Sequence, residues 1–580
     1  MIATSACLGG ELPYHVANLL KAERAGDINE ITSCKMKIHE FITFNLDLFH
    51  DDFYIEIAAA KSKDQIAFNE RVINIAKAYN IKIVIGSDAH YLTARERPIH
   101  KAYLNSKDGE REVDDFYTYS HYMTKEEAFD NLSVTFSEED FANFCRNSME
   151  IYDKIETYDI FHKPIIPRVE VFPKTCPVTP DWIWKNKCPV LTELIQSDNV
   201  QEKYWVTECL IALIDKGLFG KEKYMETLET EARVIKIVGE KLGNCLYEYF
   251  NTFQHMINLF WDEGSIVGPG RGSAVCFLSN YLLGITQLDP LQWGLKYWRF
   301  LNEERVELPD IDIDLTPSKR GKVFEALRKE RGELNVIQVC TYGTEGTRSA
   351  IAAACRGYRS EFFPDGIEVE VSQYLSSLIP VERGFLWTIK EAVYGNAEKG
   401  RAPVTALVNE LNKYPGLLEI IESIEGLVNK RGQHASGVIL YNDSPFETGA
   451  IMRSPNGDLT TQYSLHEAEQ LGDVKYDFLV TEICDKLTIA VQLLQEDNLI
   501  EPDLSLREVY NKYLHPDVLD LKDQEMWDAL SEGRVLDVFQ FSTGVGLTTA
   551  KLVKPQNPIE MLNANASTLA LTHFTFNQRG

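Results

Sequence analysis

The 580-residue chain contains no run of about 18 apolar residues, so nothing in it reads as a membrane-crossing helix. Residues 1–8 are apolar, but the stretch is too short for a secretory leader and has no basic flank or cleavage site. The eleven cysteines follow no regular spacing, which argues against a disulfide framework and for a reducing cytoplasm. Cys176 and Cys188 each precede a proline, and two cysteines do not make a zinc site. There is no internal repeat and no low-complexity tract. Positive charge is also scarce: 59 Lys and Arg face 87 Asp and Glu, a formal net charge of -28. That balance counts against nucleic acid as a partner only weakly, because binding depends on the local field. Between Gly268 and Ser360 thirteen Lys/Arg meet eleven Asp/Glu, so this segment is far less acidic than the chain as a whole. The acidity concentrates elsewhere, as in 419–425 and 496–508.

With 44% hydrophobic and 25% charged residues, the chain can fill the cores of several domains. Residues 64–79 carry apolar side chains at helical spacing. The β-branched run 81–85 then predicts a strand ending in Gly86-Ser87-Asp88-Ala89-His90. In α/β layers such strand ends are where sites are built. The Pro- and Trp-rich stretch 169–189 reads as a connector, and 204–261 as long and helical, its Trp and Tyr serving the core. A compact block, 264–359, holds most of the candidate chemistry. Residues 384–427 read as helical and surface-like, 431–480 as short strands, and the remainder as helical and acidic.

Pro309-Asp310-Ile311-Asp312-Ile313-Asp314-Leu315 alternates strictly. In a strand, successive side chains point to opposite faces, so Asp310, Asp312 and Asp314 share one face and the aliphatic residues the other. A solvated strand face and a metal site both fit that pattern. The flanking Arg299, Arg305, Lys319 and Arg320 favour the metal site, because metals would sit on the carboxylates and the cations would meet phosphates. In Val474-Lys475-Tyr476-Asp477-Phe478-Leu479, Lys475 and Asp477 share the polar face. Beside the first strand, Asp477 would complete a three-carboxylate site with Lys475 turned to a triphosphate; an ordinary edge strand with one acid fits equally.

Ile266-Val267-Gly268-Pro269-Gly270-Arg271-Gly272-Ser273 leads into 274–283, which has helical spacing and Ser273 as its expected N-cap. Glycines allow close backbone approach, and free N–H groups at a helix start attract phosphate. Arg271 adds a forked donor. No Gly-Lys-Ser/Thr follows, so this is not a Walker A loop.

These residues, in this order, resemble the palm of the C-family polymerases, the bacterial DNA polymerase III alpha subunits. The likeness is carried by Val267-Gly-Pro-Gly-Arg-Gly-Ser273, Leu283-Gly-Ile-Thr286, Asp289-Pro-Leu291, Arg299-Phe-Leu-Asn302, Glu304-Arg-Val306 and Pro309-Asp-Ile-Asp-Ile-Asp314. Further matches are Thr341-Tyr-Gly-Thr344, Arg348, Arg356, Gly432-Gln-His-Ala-Ser-Gly437, Val474-Lys-Tyr-Asp-Phe-Leu479 and Val538-Phe-Gln540. The resemblance implies a multidomain chain of α/β and α+β parts. Residues 1–170 would be the C-terminal part of a PHP domain, a partial α/β barrel. Residues 180–341 and 432–482 would form a palm of the polymerase-β nucleotidyltransferase type. Residues 342–431 would be a helical thumb, and 483–580 a helical, truncated start of the fingers.

The same resemblance implies catalytic Asp310, Asp312 and Asp477 holding two Mg²⁺, with Asp314 in support. Gly272 and Ser273, with Arg271, Arg299, Arg305 and Lys475, would bind the incoming nucleotide. Primer–template DNA and deoxynucleoside triphosphates are the expected partners, with a sliding clamp and clamp loader in the complete enzyme, no membrane, and a cytoplasmic location. His434 is read as structural. Ser5-Ala-Cys7-Leu-Gly-Gly-Glu-Leu-Pro13 and Ser87-Asp88-Ala89-His90-Tyr91-Leu92 resemble PHP segments. There Cys7, Asp88 and His90 would be metal ligands, for Zn²⁺ or Mn²⁺ if upstream ligands completed the site; capping and hydrogen bonding at a strand end fit Asp88 and His90 as well. The expected chain is a fragment, a split-gene product or a frameshifted one, since the family's His-x-His segment and most of the fingers have no counterpart. Phe539-Gln-Phe-Ser-Thr543 departs from the family's Phe-Gln-Leu-Glu-Ser. A PHP-type phosphoesterase or exonuclease, and an inactive fragment needing a second polypeptide, are the competing readings.

Overall fold

In the computed structural model the chain is a mixed α/β protein, described over residues 1–106, 116–172, 174–179, 187–382, 384–542 and 544–566. Thr543, the end of the segment expected to begin the fingers (567–580) and part of the expected connector (173 and 180–186) lie outside the described residues. No helix among the described residues is long and apolar enough to cross a membrane. The strands are β1 (Ala3–Thr4), β2 (Phe53–Ala58), β3 (Lys82–Gly86), β4 (Asp312–Leu315), β5 (Val336–Thr344), β6 (Val381–Glu382), β7 (Phe385–Leu386), β8 (Val428–Leu440), β9 (Ile451–Arg453), β10 (Leu459–Thr461) and β11 (Lys475–Val480). The chain divides into two compact units.

The first unit comprises Met1–Asp159 and Thr344–Asn429. Its parallel sheet has the order β1-β2-β3. The helix Lys63–Tyr79 precedes β3, as its periodicity predicts; Ser62 caps it and Asn80, in the left-handed region, ends it. The second part of this unit is helical, as 384–427 leads one to expect, but it is not a surface layer. Ile389, Leu407, Leu417, Ile421 and Ile424 are fully buried, in one cluster with Ala102 of the helix Arg97–Asn105. Each of these helices is short, six to nine residues, so its apolar stripe is too brief to separate from a polar face by eye. Gly357 lies where a Cβ would fall 1.7 Å from the Ala102 carbonyl oxygen, so only glycine permits this approach.

The second unit comprises Ile160–Gly343 and Lys430–Gly580. Helices Val200–Asp215, Glu222–Leu242 and Tyr247–Asp262 occupy the region expected to be helical, and Trp205, Phe250, Phe253 and Phe260 sit in a continuous core. That core ends on one face of a six-stranded sheet ordered β4-β11-β8-β5-β10-β9, through Ile311, Ile313, Leu315, Tyr476 and Phe478. The alternation in both motif strands therefore does what period two requires: apolar side chains enter the core and the acids stand on the opposite face. β11 is an interior strand, parallel to β4 on one side and antiparallel to β8 on the other. The sheet ends at β4, where Val267 bridges Leu315 and the Gly268 N–H donates to the Asp314 carbonyl.

Candidate active site

The parallel pairing of β11 with β4 sets Asp477 directly against Asp312. Asp310, two residues before the start of β4, joins them: a ligand atom from each of Asp310, Asp312 and Asp477 lies within 4.8 Å of the others. Asp310 is exposed, Asp312 half-buried and Asp477 buried. Burial, then the charges of Asp310 and Asp477, push the Asp312 carboxyl above its usual range, against the pull of Arg271 and Lys475. Lys475 is paired with Asp477 and Arg271 with Asp314, so the three carboxylates outnumber the cation beside them. A compact, all-oxygen donor set with unbalanced negative charge suits a hard divalent cation such as Mg²⁺.

Asp477 is held on both oxygens. Lys475 Nζ lies 2.6 Å from Oδ2, and the buried Ser436 hydroxyl donates to Oδ1 at 2.8 Å. Burial opposes the charged form of Lys475, but the hydrogen bond and charge of Asp477, together with Asp310, outweigh it and raise its pKa. Beneath the site the buried Tyr249 hydroxyl donates to the Pro309 carbonyl and ties the start of the acidic segment to the helix Tyr247–Asp262. Tyr249 carries no functional signal in its local sequence, and Ser436 none beyond its place in Gly432-Gln-His-Ala-Ser-Gly437. Only the pairing of β8 with β11, which sets Gly437 opposite Asp477, brings Ser436 to the carboxylate.

Asp314 shares the polar face but not the cluster. Its Oδ2 is 3.3 Å from Arg271 Nε, so these two predicted residues neutralise each other. Burial raises the Asp314 pKa and Arg271 lowers it. The Arg271 guanidinium also lies over the ring of Phe539, 5.3 Å from its centre. Gly268 is required here, since a Cβ would meet the Asp314 Cβ at 2.8 Å. Gly272 is exposed with φ +60, and Ser273 follows it half-buried.

The expected single helix over 274–283 is a correction. A 3-10 turn, Ala274–Cys276, precedes a five-residue helix, Leu278–Leu282, and Phe277 between them is extended. The Ser273 side chain caps neither. The buried Glu231 carboxylate instead accepts from the N–H groups of Leu278 at 2.6 Å and Ser279 at 2.8 Å, so these donors at the short helix start are already taken. Arg299 is exposed at the end of a 3-10 turn, and Arg305, also exposed, pairs with Glu307 at 2.8 Å rather than with the acidic cluster.

Cys7, Asp88 and His90 are not gathered into a three-donor group. His90 Nε2 lies 3.5 Å from Asp88 Oδ1, but among the described residues Cys7 forms no three-donor group with them. Cys7 follows β1 and Asp88 follows β3, and β2 lies between.

Residues 194–480 match the family described as the bacterial DNA polymerase III alpha NTPase domain. The chain belongs to the bacterial DNA polymerase III alpha family. Both acidic strands fall inside the matched stretch. Among relatives, the chain is 39% identical over 584 residues to the DNA-directed DNA polymerase of Bacillus phage SPbeta, covering 98% of this chain and 44% of that protein. It is 26% identical over 582 residues to the DNA polymerase III subunit alpha of Campylobacter jejuni, covering 96% and 43%. For the subunit of Aquifex aeolicus the identity is 27% over 589 residues, covering 96% and 45%. The chain thus spans a little under half the length of these curated relatives of the polymerase III alpha family.

Proposed function

We propose that this chain carries the nucleotidyl-transfer centre of a template-directed DNA polymerase, adding deoxynucleotides to a primer 3′-OH. The observation that carries the reading is the side-by-side placement of β4 and β11, which gathers Asp310, Asp312 and Asp477 from distant parts of the chain. In this reading 180–341 and 432–482 form the palm, 342–431 the thumb, 1–170 the C-terminal part of a PHP domain and 483–580 the start of the fingers.

Asp310, Asp312 and Asp477 would hold two Mg²⁺ ions. When bound, the ions supply Lewis acidity towards the primer hydroxyl and the pyrophosphate that leaves. Lys475, beside Asp477, offers its ammonium to the triphosphate. Arg271 can turn its guanidinium from Asp314 to a phosphate, and Gly272 and Ser273 present backbone N–H groups at a bend no side chain crowds. Arg299 and Arg305, exposed on the flank, reach the nucleotide once it is bound. The new bond joins the 3′ oxygen to the α-phosphorus as the bond to the β-phosphate breaks. Template pairing sets sequence, so DNA contacts fall on the backbone and weaken with salt. Among the described residues Cys7, Asp88 and His90 form no three-donor group, which gives the phosphoesterase reading no support. A sliding clamp and clamp loader are partners in the complete enzyme.

Primer extension with the 580-residue chain, alone and mixed with a polypeptide supplying the rest of a relative's fingers, tests the reading. Asp312→Ala should abolish extension with the fold intact by circular dichroism. Undiminished extension by that variant overturns the assignment.

A further inference from the structure

The Ser436 hydroxyl sits inside the site yet has no part in the chemistry above. Ser436 lies on β8 and is 5% exposed, and its hydroxyl donates to Asp477 Oδ1 at 2.8 Å. Asp477 is itself 6% exposed, so water does not compete for this contact. The other oxygen, Oδ2, faces Lys475 at 2.6 Å. A carboxylate has about four lone-pair sites. With one taken on each oxygen by a donor, each oxygen keeps a lone pair for a cation shared with Asp312 and Asp310, whose ligand atoms lie within 4.8 Å. The hydroxyl is in turn fixed from behind: His434 Nδ1 accepts from the Gly437 N–H at 2.8 Å and from the Ser436 N–H at 3.3 Å, so the ring braces the backbone that carries the serine.

We infer that Ser436, braced by His434, is a positioning residue that orients the Asp477 carboxylate for divalent-cation binding. The inference rests on the polymerase reading of the acidic cluster. Without the hydroxyl, Asp477 is steered by Lys475 alone and can rotate its free oxygen towards the ammonium and away from Asp312. Partners that orient a metal ligand typically contribute 10–100-fold in metal affinity.

The test uses the full chain and Mn²⁺ as the probe, with free Mn²⁺ counted by electron paramagnetic resonance. Ser436→Thr keeps the hydroxyl and Ser436→Val replaces it by a methyl of the same shape, so the pair differs in the donor and not in packing. Expected is Mn²⁺ affinity near that of the parent for the Thr variant and about 10-fold weaker for the Val variant. Melting temperatures of the two variants in chelator should agree. In primer extension, the Val variant should need correspondingly more Mg²⁺ and recover most of its rate at saturation. Equal Mn²⁺ affinity in the Thr and Val variants overturns the positioning role. Asp477→Asn separates this from the parent reading: if it binds Mn²⁺ like the unmodified chain, the acidic cluster is not the metal site. If Asp477→Asn loses binding while the Thr and Val variants match, only the role of Ser436 fails.

Discussion

Removing the Lys475 ammonium would leave Asp477 buried among carboxylates with one neutral donor. At an effective dielectric near 20, the pair at 2.6 Å attracts by about 6 kcal/mol. Each carboxylate pair at the 4.8 Å limit repels by about 3.5 kcal/mol on the same basis. Lys475 loses hydration on burial, which offsets part of its attraction, and the net loss expected for Lys475→Met is about 3–4 kcal/mol, as for other broken buried pairs. The side chains of both partners are well shielded, 17% and 8% exposed, so solvent screening does not erase the effect. By calorimetry in chelator, the transition of the sheet-bearing unit should fall by roughly 4–6 °C. Added Mg²⁺ should restore more of the melting temperature in the variant than it adds to the parent, because the cation replaces the missing charge. Extension at saturating Mg²⁺ should still be slower, for want of a cation at the triphosphate. A variant that melts with the parent in chelator, or gains no more than the parent from Mg²⁺, refutes this electrostatic account of the site.

Chelating divalent ions should stop extension and lower the melting temperature together, and Mg²⁺ should restore both; extension that persists in chelator would remove the metal from the reading. Burial pushes the Asp473 carboxyl up to about 6, above 3.8 in the unfolded chain, against hydrogen bonds from Tyr441 and Tyr463. The native state then holds the extra proton, so this group's contribution is complete below pH 3.8 and is lost as pH rises through 6. Relative to Asp473→Asn, the parent should lose roughly 3 kcal/mol between pH 4 and 7, measured by urea unfolding at each pH. Gly357→Ala should destabilise the first unit by about 3 kcal/mol or more, since the new methyl meets a backbone carbonyl; an unshifted urea midpoint would show that the helices can separate freely. Gly268→Ala should slow extension by displacing the glycine-rich turn from Asp314, with a smaller loss of stability.

Much of the site is local in origin. The alternation of 309–315 puts Asp310 and Asp312 on one face with Ile311 and Ile313 beneath, and the same period splits Lys475 and Asp477 from Tyr476 and Phe478; both follow from the pleat alone. The helix Lys63–Tyr79 and the strand after it were equally legible, because cap, period and stop agree. What the pleat could not say was that Asp314 would turn to Arg271 and leave the cluster, that Glu231 would occupy the N–H groups expected for phosphate, or that 384–427 would build a core.

The chain's own order of residues determined which side chains could serve a metal and a nucleotide, and which face of each strand would carry them. Only the tertiary structure decided that β11 enters the sheet between β4 and β8, setting Asp477 against Asp312 and Ser436 within reach of it. The reason is physical. A strand's two faces are set by its own alternation, whereas its neighbours are set by which pairing buries all the apolar faces at once, and that quantity belongs to the whole sheet and to the helices Val200–Asp215, Glu222–Leu242 and Tyr247–Asp262 packed with it in one core.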